Sequence, residues 1–300
     1  MRPLATVEEI RLALCLILWG LFKKLVLADN FGDLVAHSIR AFAEPPYESS
    51  GVGLIYALGF TFQIYCDFSA YSDIARGSAL LFGIKLPRNF LMPLMARSPQ
   101  EFWQRWHITL STWIRDYVYI PLGGNKGSAA KQGITMLLTM GLAGLWHGAG
   151  LMFIAWGLYH GALILLYRLP PIKRFVAASD DTTGRALLAG ALFFVVNVLG
   201  WMMFRAGSGL PGEFMLMFNS LSALPAALHV PAFLISAQQL LMLSVPLAIS
   251  EWIAYRHKTE FPDVLAATGT WRLSGAIVAM WFCAVIFAKR SGYDFIYFAF

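Results

Sequence analysis

Charge is scarce in this chain. Asp, Glu, Lys and Arg make up 13% of its 300 residues, and hydrophobic types make up 58%. A water-soluble domain carries about 25% charged residues, so a soluble globular fold is excluded. The same hydrophobic content excludes disorder. Cysteine is scarce as well. Cys15, Cys66 and Cys283 lie far apart in apolar runs, with no CxxC pair and no zinc spacing, and read as small apolar residues rather than disulfide partners. No His/Cys/carboxylate grouping has metal-ligand spacing, and no GxSxG elbow supplies a serine nucleophile. The glycines of PLGGN at 121–125 lack the lysine ending and the preceding strand of a phosphate loop, and read as a turn. There is no internal repeat and no low-complexity segment. The polar start MRPLATVEEIR precedes an apolar run without a small-residue cleavage site, so a cleavable signal peptide is not expected.

What the chain does have is uncharged runs long enough to cross a bilayer, which takes roughly 20 helical residues. Residues 133–167, 186–204 and 214–250 contain no Asp, Glu, Lys or Arg. The expected fold is therefore all-α: one polytopic transmembrane helical bundle over residues 1–300, with about 7–8 membrane segments. A first helix is expected over 8–28, with Lys23 and Lys24 snorkelling or facing the interior. A loop with a short helix over 32–43 follows, then a span over 49–66 ending at Asp67, Asp73 and Arg76. Residues 85–131 are basic and aromatic and read as an interfacial or re-entrant segment. Within it, Ser98, Pro99 and Glu101 predict a helix start running to about Trp113 or Tyr119. Residues 133–167 read as two short helices broken near 146–150. The net charge of +6 sits mainly in 85–131, 168–185 and 255–272, which the positive-inside rule puts on the cytoplasmic face. Lys289 and Arg290 violate that assignment. The threading sends the His147 turn toward the outer side and leaves His107 on the cytoplasmic side.

Two histidines each follow a tryptophan. His147, in LWHGAG, sits at the break of an apolar hairpin, where a neutral imidazole suits a general base and flanking glycines admit a substrate. It could equally bond a backbone carbonyl in a tight turn. His107, in FWQRWHITLS, has Arg105 and Arg115 beside it with Trp103, Trp106 and Trp113, a set that could bind an acyl-bearing or phosphate-bearing donor, or simply mark a membrane interface. Asp67, Asp73 and Arg76 offer a proton relay or a plain helix ion pair. His160 reads as packed rather than catalytic.

The segments FQIYCDFSAYSDIARG, NFLMPLMARSPQEFWQRWHITLSTWIRDYVYIPLGGNKG and LWHGA resemble the membrane-bound O-acyltransferases, in their bacterial alginate O-acetylase branch. GLFKKLVLADN, MMFRA at 202–206 and FIYFAF also look like that branch. The resemblance implies catalytic roles for His147 and His107, with Trp106, Arg105, Arg115, Trp146 and Asp67 on the substrate side. It implies acyl transfer to hydroxyls of an exported polysaccharide at the bacterial inner membrane. No cofactor would be tightly bound, the acyl donor would be acetyl-CoA or a relayed acyl group on the cytoplasmic side, and periplasmic acetyltransferase partners or the polysaccharide would accept it. Related readings are D-alanyl transfer and peptidoglycan O-acyl transfer. An inactive truncated copy and a polysaccharide-export component also stay open. Family members usually carry further transmembrane helices ahead of GLFKK, so the chain is expected to be the C-terminal part of a longer fold.

Overall fold

The computed structural model describes residues 5–43, 52–177, 184–208, 214–215, 230–288 and 295. The loop at 44–50, most of the stretch 206–231, and Lys289 and Arg290 lie outside them. The described residues are helical and contain no strand. The helices are α1 (Val7–Phe22), α2 (Asp29–Ala43), α3 (Val52–Leu81), α4 (Pro99–Trp103), α5 (Ile108–Ile114), α6 (Ala129–Trp146), α7 (Leu151–Leu166), α8 (Pro170–Ala177), α9 (Gly184–Ser208), α10 (Pro231–His257), α11 (Phe261–Ala267) and α12 (Thr270–Phe287). Short π-helical turns occupy Lys23–Ala28 and Arg115–Tyr119. Among the described residues four helices, α3, α9, α10 and α12, are long and apolar enough to cross a membrane, or five if α7 and α8, bent by 80°, count as one span. The three cysteines are free.

The chain forms two compact units. The first comprises Met1–Arg88 and Met215–Ala299. Its centre is α1 against α3. Gly77 makes the close approach possible, since a Cβ there would stand 2.8 Å from the Ile17 side chain. Buried charges join the two helices. Lys23 meets Asp73 at 2.7 Å and donates to Ser69, while Lys24 meets Asp67 at 2.8 Å and Asp29 at 2.9 Å. Arg76 lies 3.5 Å from Asp73 and 2.9 Å from Glu260, and Arg88 reaches Glu260 and Asp263. The Tyr65 hydroxyl donates to Glu251 of α10. The π turn at Lys23–Ala28 presents both lysines to this network.

Three sequence expectations change here. The charges at 67, 73 and 76 do not end a span, because α3 runs through them as one 30-residue helix. Partners from α1 and the α10–α11 connection satisfy those charges, so the helix does not have to stop for them. Second, residues 29–43 are not a loop with a short helix but a full helix following the π turn. Third, the helix predicted from Ser98 stops at Trp103 and restarts at Ile108.

The second unit is Asn89–Phe214. Ser98 caps α4 as the sequence predicts, accepting from Glu101 N–H at 3.2 Å with Pro99 behind it. The hairpin of α6 and α7 breaks at 147–150, also as predicted. Its two helices touch backbone to backbone. A Cβ on Gly144 would overlap the Phe153 carbonyl, 2.9 Å from its carbon, and a Cβ on Gly157 would overlap the Met140 carbonyl in the same way. Small residues at a helix crossing allow this proximity in an apolar surrounding.

Candidate active site

His107 stands at the break between α4 and α5 in the left-handed conformation, φ 43. The left-handed turn folds the chain back on residues 89–91: Ile108 N–H donates to the Asn89 carbonyl and Leu91 N–H to the Arg105 carbonyl. Asn89 then fixes the imidazole. Its Oδ1 accepts from Thr109 Oγ1 at 3.0 Å and from Thr109 N–H at 3.4 Å, so that atom is an acceptor. His107 Nδ1, 3.1 Å away, therefore carries the hydrogen, and Nε2 is left as the basic nitrogen. Burial holds this imidazole below its ordinary value, at about 4, and a charge on His147 acts in the same direction.

His147 caps the C-terminus of α6, with its N–H donating to the Gly144 carbonyl. Rings enclose its imidazole. Trp146, Phe204 and Trp156 meet it nearly edge-on at 4.9, 5.0 and 5.3 Å between centroids. Phe204 comes from α9, so three helices fix this side chain by packing. A cavity of about 210 Å³ opens beside it, lined by Trp103, Leu110, Ser111, Ile114, Arg115, Tyr119, Met136, Thr139, Met140, Ala143, His147, Trp156 and Ile164. Met136 and His147 lie eleven residues apart on α6, so the slot follows that helix for about 16 Å at 1.5 Å per residue. Arg115 and Tyr119 belong to the π turn whose continuation packs on the start of α6, where Thr135 donates to the Leu122 carbonyl. The wall is nearly all apolar.

The sequence-derived candidates divide. His147 and Arg115 line the cavity, and Trp146 is half-exposed against the His147 ring. His107 lies within electrostatic reach of His147, and Ser111, one turn after it, lines the same cavity. The segment after Ser98 is broken rather than one continuous helix. Its break at 104–107 turns Trp103 inward onto Trp156 and His160 of α7, at 5.8 and 5.2 Å. Arg105 pairs with Glu101 and reaches the Met92 carbonyl, and Trp106 is buried among Phe90, Phe102 and Trp201. Both support the turn and neither lines the cavity. Asp67 belongs to the other unit, buried on Lys24. Sequence reasoning did not single out Asn89 or Phe204. Both are long-range partners, although each sits inside a quoted motif. Among the described residues no group of His, Cys, Asp and Glu could hold a metal ion.

A helical bundle with membrane-length spans and an apolar cavity beside His147 in its 89–214 unit defines a class, and comparison with known families agrees with it. Residues 3–206 match the model of the membrane-bound O-acyltransferase family, and the chain belongs to that family. Among individual proteins, it is 41% identical over 189 residues to a probable alginate O-acetylase of Pseudomonas aeruginosa, a match covering 62% of this chain and 34% of the relative. It is 40% identical over 204 residues to a peptidoglycan O-acetyltransferase of Helicobacter pylori, covering 66% of this chain and 37% of the relative. A teichoic acid D-alanyltransferase of Streptococcus thermophilus is 35% identical over 155 residues, covering 48% and 37%. The matched part is thus about a third of the length of these relatives. Family and helices together make this a multi-pass membrane protein.

Proposed function

We propose that the protein transfers an acetyl group to hydroxyls of an exported polysaccharide at the bacterial inner membrane. The observation that carries this is the cavity itself: an apolar slot with His147 held at one end and a second, tautomer-fixed imidazole within reach. The slot's length suits a thioester donor on a linear arm, such as acetyl-CoA or a relayed acyl carrier. In the proposed step His147 takes the proton of the acceptor hydroxyl as its oxygen attacks the carbonyl carbon. The tetrahedral species then collapses, the thiolate leaves, and the imidazolium returns the proton to it, so ester and thiol form with no net proton. Neutral His107 orients the donor or the hydroxyl. Relatives matched at about 40% identity are named for alginate and peptidoglycan acetylation, against 35% for the D-alanyltransferase, which favours an acetyl group over D-alanine. Periplasmic acetyltransferases are the natural next acceptors if the acyl group is relayed.

The test is acyl transfer by the full-length protein in membranes, with the exported polymer analysed by mass spectrometry. General-base help contributes about 10²–10⁴ in rate, so His147→Ala should abolish detectable O-acetylation without loss of the protein from the membrane. Normal acetylation by that variant would refute the reading. His107→Ala is expected to lose most of the rate, with near-normal turnover reducing His107 to a structural part.

A further inference from the structure

Acyl transfer passes through an intermediate whose carbonyl oxygen becomes negative, and an apolar slot offers such an oxygen little help. The side chains lining this cavity can be sorted by what their polar atoms already do. Ser111 donates to the Trp106 carbonyl at 3.1 Å, Thr139 to the Thr135 carbonyl at 2.7 Å, and Tyr119 to Asn125 at 2.8 Å. Arg115 is paired through two nitrogens with Asp116. Those groups are committed to protein partners. Trp103 and Trp156 are different. Both line the cavity, and the Nε1–H of each is buried without a hydrogen-bond partner. A buried donor with no acceptor is costly and calls for an explanation. The Trp156 ring touches His147 edge-on at 5.3 Å, and the two indoles are 5.8 Å apart. His160, fully buried, braces both from the far side, at 5.1 Å from Trp156 and 5.2 Å from Trp103.

Building on the acyl-transfer reading above, we propose that the indole N–H groups of Trp103 and Trp156 are the donors for the acyl carbonyl oxygen, placed beside His147 to hold the oxyanion as the hydroxyl adds. A donor aimed at developing charge in a dry site acts more strongly than in water. The indole is well matched to such a position, because it supplies one N–H, accepts nothing, and keeps the rest of its surface apolar.

The proposal predicts a catalytic loss that depends on one hydrogen. Replacing Trp156, and separately Trp103, by benzothienylalanine in the full-length protein exchanges N–H for sulfur and keeps ring size and packing. Loss of one oxyanion donor costs about 10²–10³ in kcat. The expected result is a fall of that order at Trp156, a similar or smaller one at Trp103, and little change in KM. The same replacement at exposed Trp252 of the other unit should leave kcat unaltered. A second readout separates binding of the carbonyl from packing. In His147→Ala protein loaded with ¹³C-labelled acetyl thioester, the carbonyl stretch should lie below its free value and move back upward when either indole N–H is removed. A kcat within threefold of wild type for both replacements would overturn the proposal. So would a rate loss with no movement of the carbonyl stretch, which would make the tryptophans structural. Failure of the proposal leaves the function standing if His147→Ala still abolishes transfer. Absence of transfer to any hydroxyl by the wild-type protein would sink the function instead.

Discussion

α6 and α7 meet backbone to backbone at Gly144 and Gly157, and adding one methyl group there measures how far His147 can move before transfer fails. In Gly144→Ala the new Cβ would stand 2.9 Å from the Phe153 carbonyl carbon and overlap its oxygen. In Gly157→Ala it would stand 2.9 Å from the Met140 carbonyl carbon in the same way. Carbon atoms pack at about 3.5–4.0 Å, so the helices must separate by about 1 Å. No flexible side chain can yield, because the obstacle is backbone. Alanine gains about 1 kcal/mol over glycine in helix propensity, but overpacking costs about 1–3 kcal/mol, so stability should fall slightly. Activity should fall more. His147 ends α6 and Trp156 rides on α7, so a separation of about 1 Å pulls the imidazole from its ring contact, and a displacement of that size costs about 10²-fold in rate. Gly133→Ala is the control on the same helix pair, since its Cβ would meet only Leu165, at an ordinary 3.7 Å. The assay is acetyl transfer by purified full-length protein beside thermal unfolding in detergent. Wild-type rates in both Gly144→Ala and Gly157→Ala, or an equal loss in Gly133→Ala, would refute the reasoning.

Other outcomes follow from the same geometry. Lys24→Met leaves the buried Asp67 and Asp29 without their cation and is expected to cost about 3–5 kcal/mol, read as a lowered unfolding temperature; an unchanged midpoint would show the pair to be dispensable. Asn89→Leu removes the acceptor that fixes the His107 tautomer and should lower kcat by at least about tenfold, within the range of general acid–base effects, with little change in protein level. His107 is held below its ordinary value, at about 4, so it is neutral above about pH 5. Its contribution to stability is complete above about pH 6.5 and is lost as pH falls toward 4. The acid limb of kcat/KM should accordingly carry no inflection near about 6.5 that disappears in His107→Gln; finding one would contradict the burial of that ring.

How much of this was readable beforehand depends on whether the signal was local. Ser98-Pro99-Gln100-Glu101 carries its own cap, and the glycines around His147 carry their own break, so both features were legible from a few residues. The electrostatic reach between His107 and His147 was not. Counting lysines and arginines assigns loops to sides, and it placed the basic 85–131 segment wholly on one face. It has no means of detecting that a left-handed residue at position 107 turns Trp103 toward the middle of α7. Charges in α3 misled in the same manner. Asp67, Asp73 and Arg76 looked like the end of a span because their partners lie 43, 50 and 184 positions away along the chain. Family resemblance identified the histidines. Asn89, Trp156 and Phe204 emerged as their supports only from the packing.

The buried ions between α1 and α3 also constrain how the protein is made. Each Asp, Lys or Arg placed at the centre of a lone helix opposes insertion by about 2.5–3.5 kcal/mol. A solitary α3 would carry Asp67, Asp73 and Arg76 into lipid with only the 3.5 Å Asp73–Arg76 pair to offset them, and the π turn after α1 would carry two lysines. Paired as Lys24 with Asp67 and Lys23 with Asp73, the same groups cancel. The two elements are therefore less costly to place in a bilayer together than apart. Biogenesis of this half of the molecule thus couples α1 to α3, two elements separated in the chain by α2.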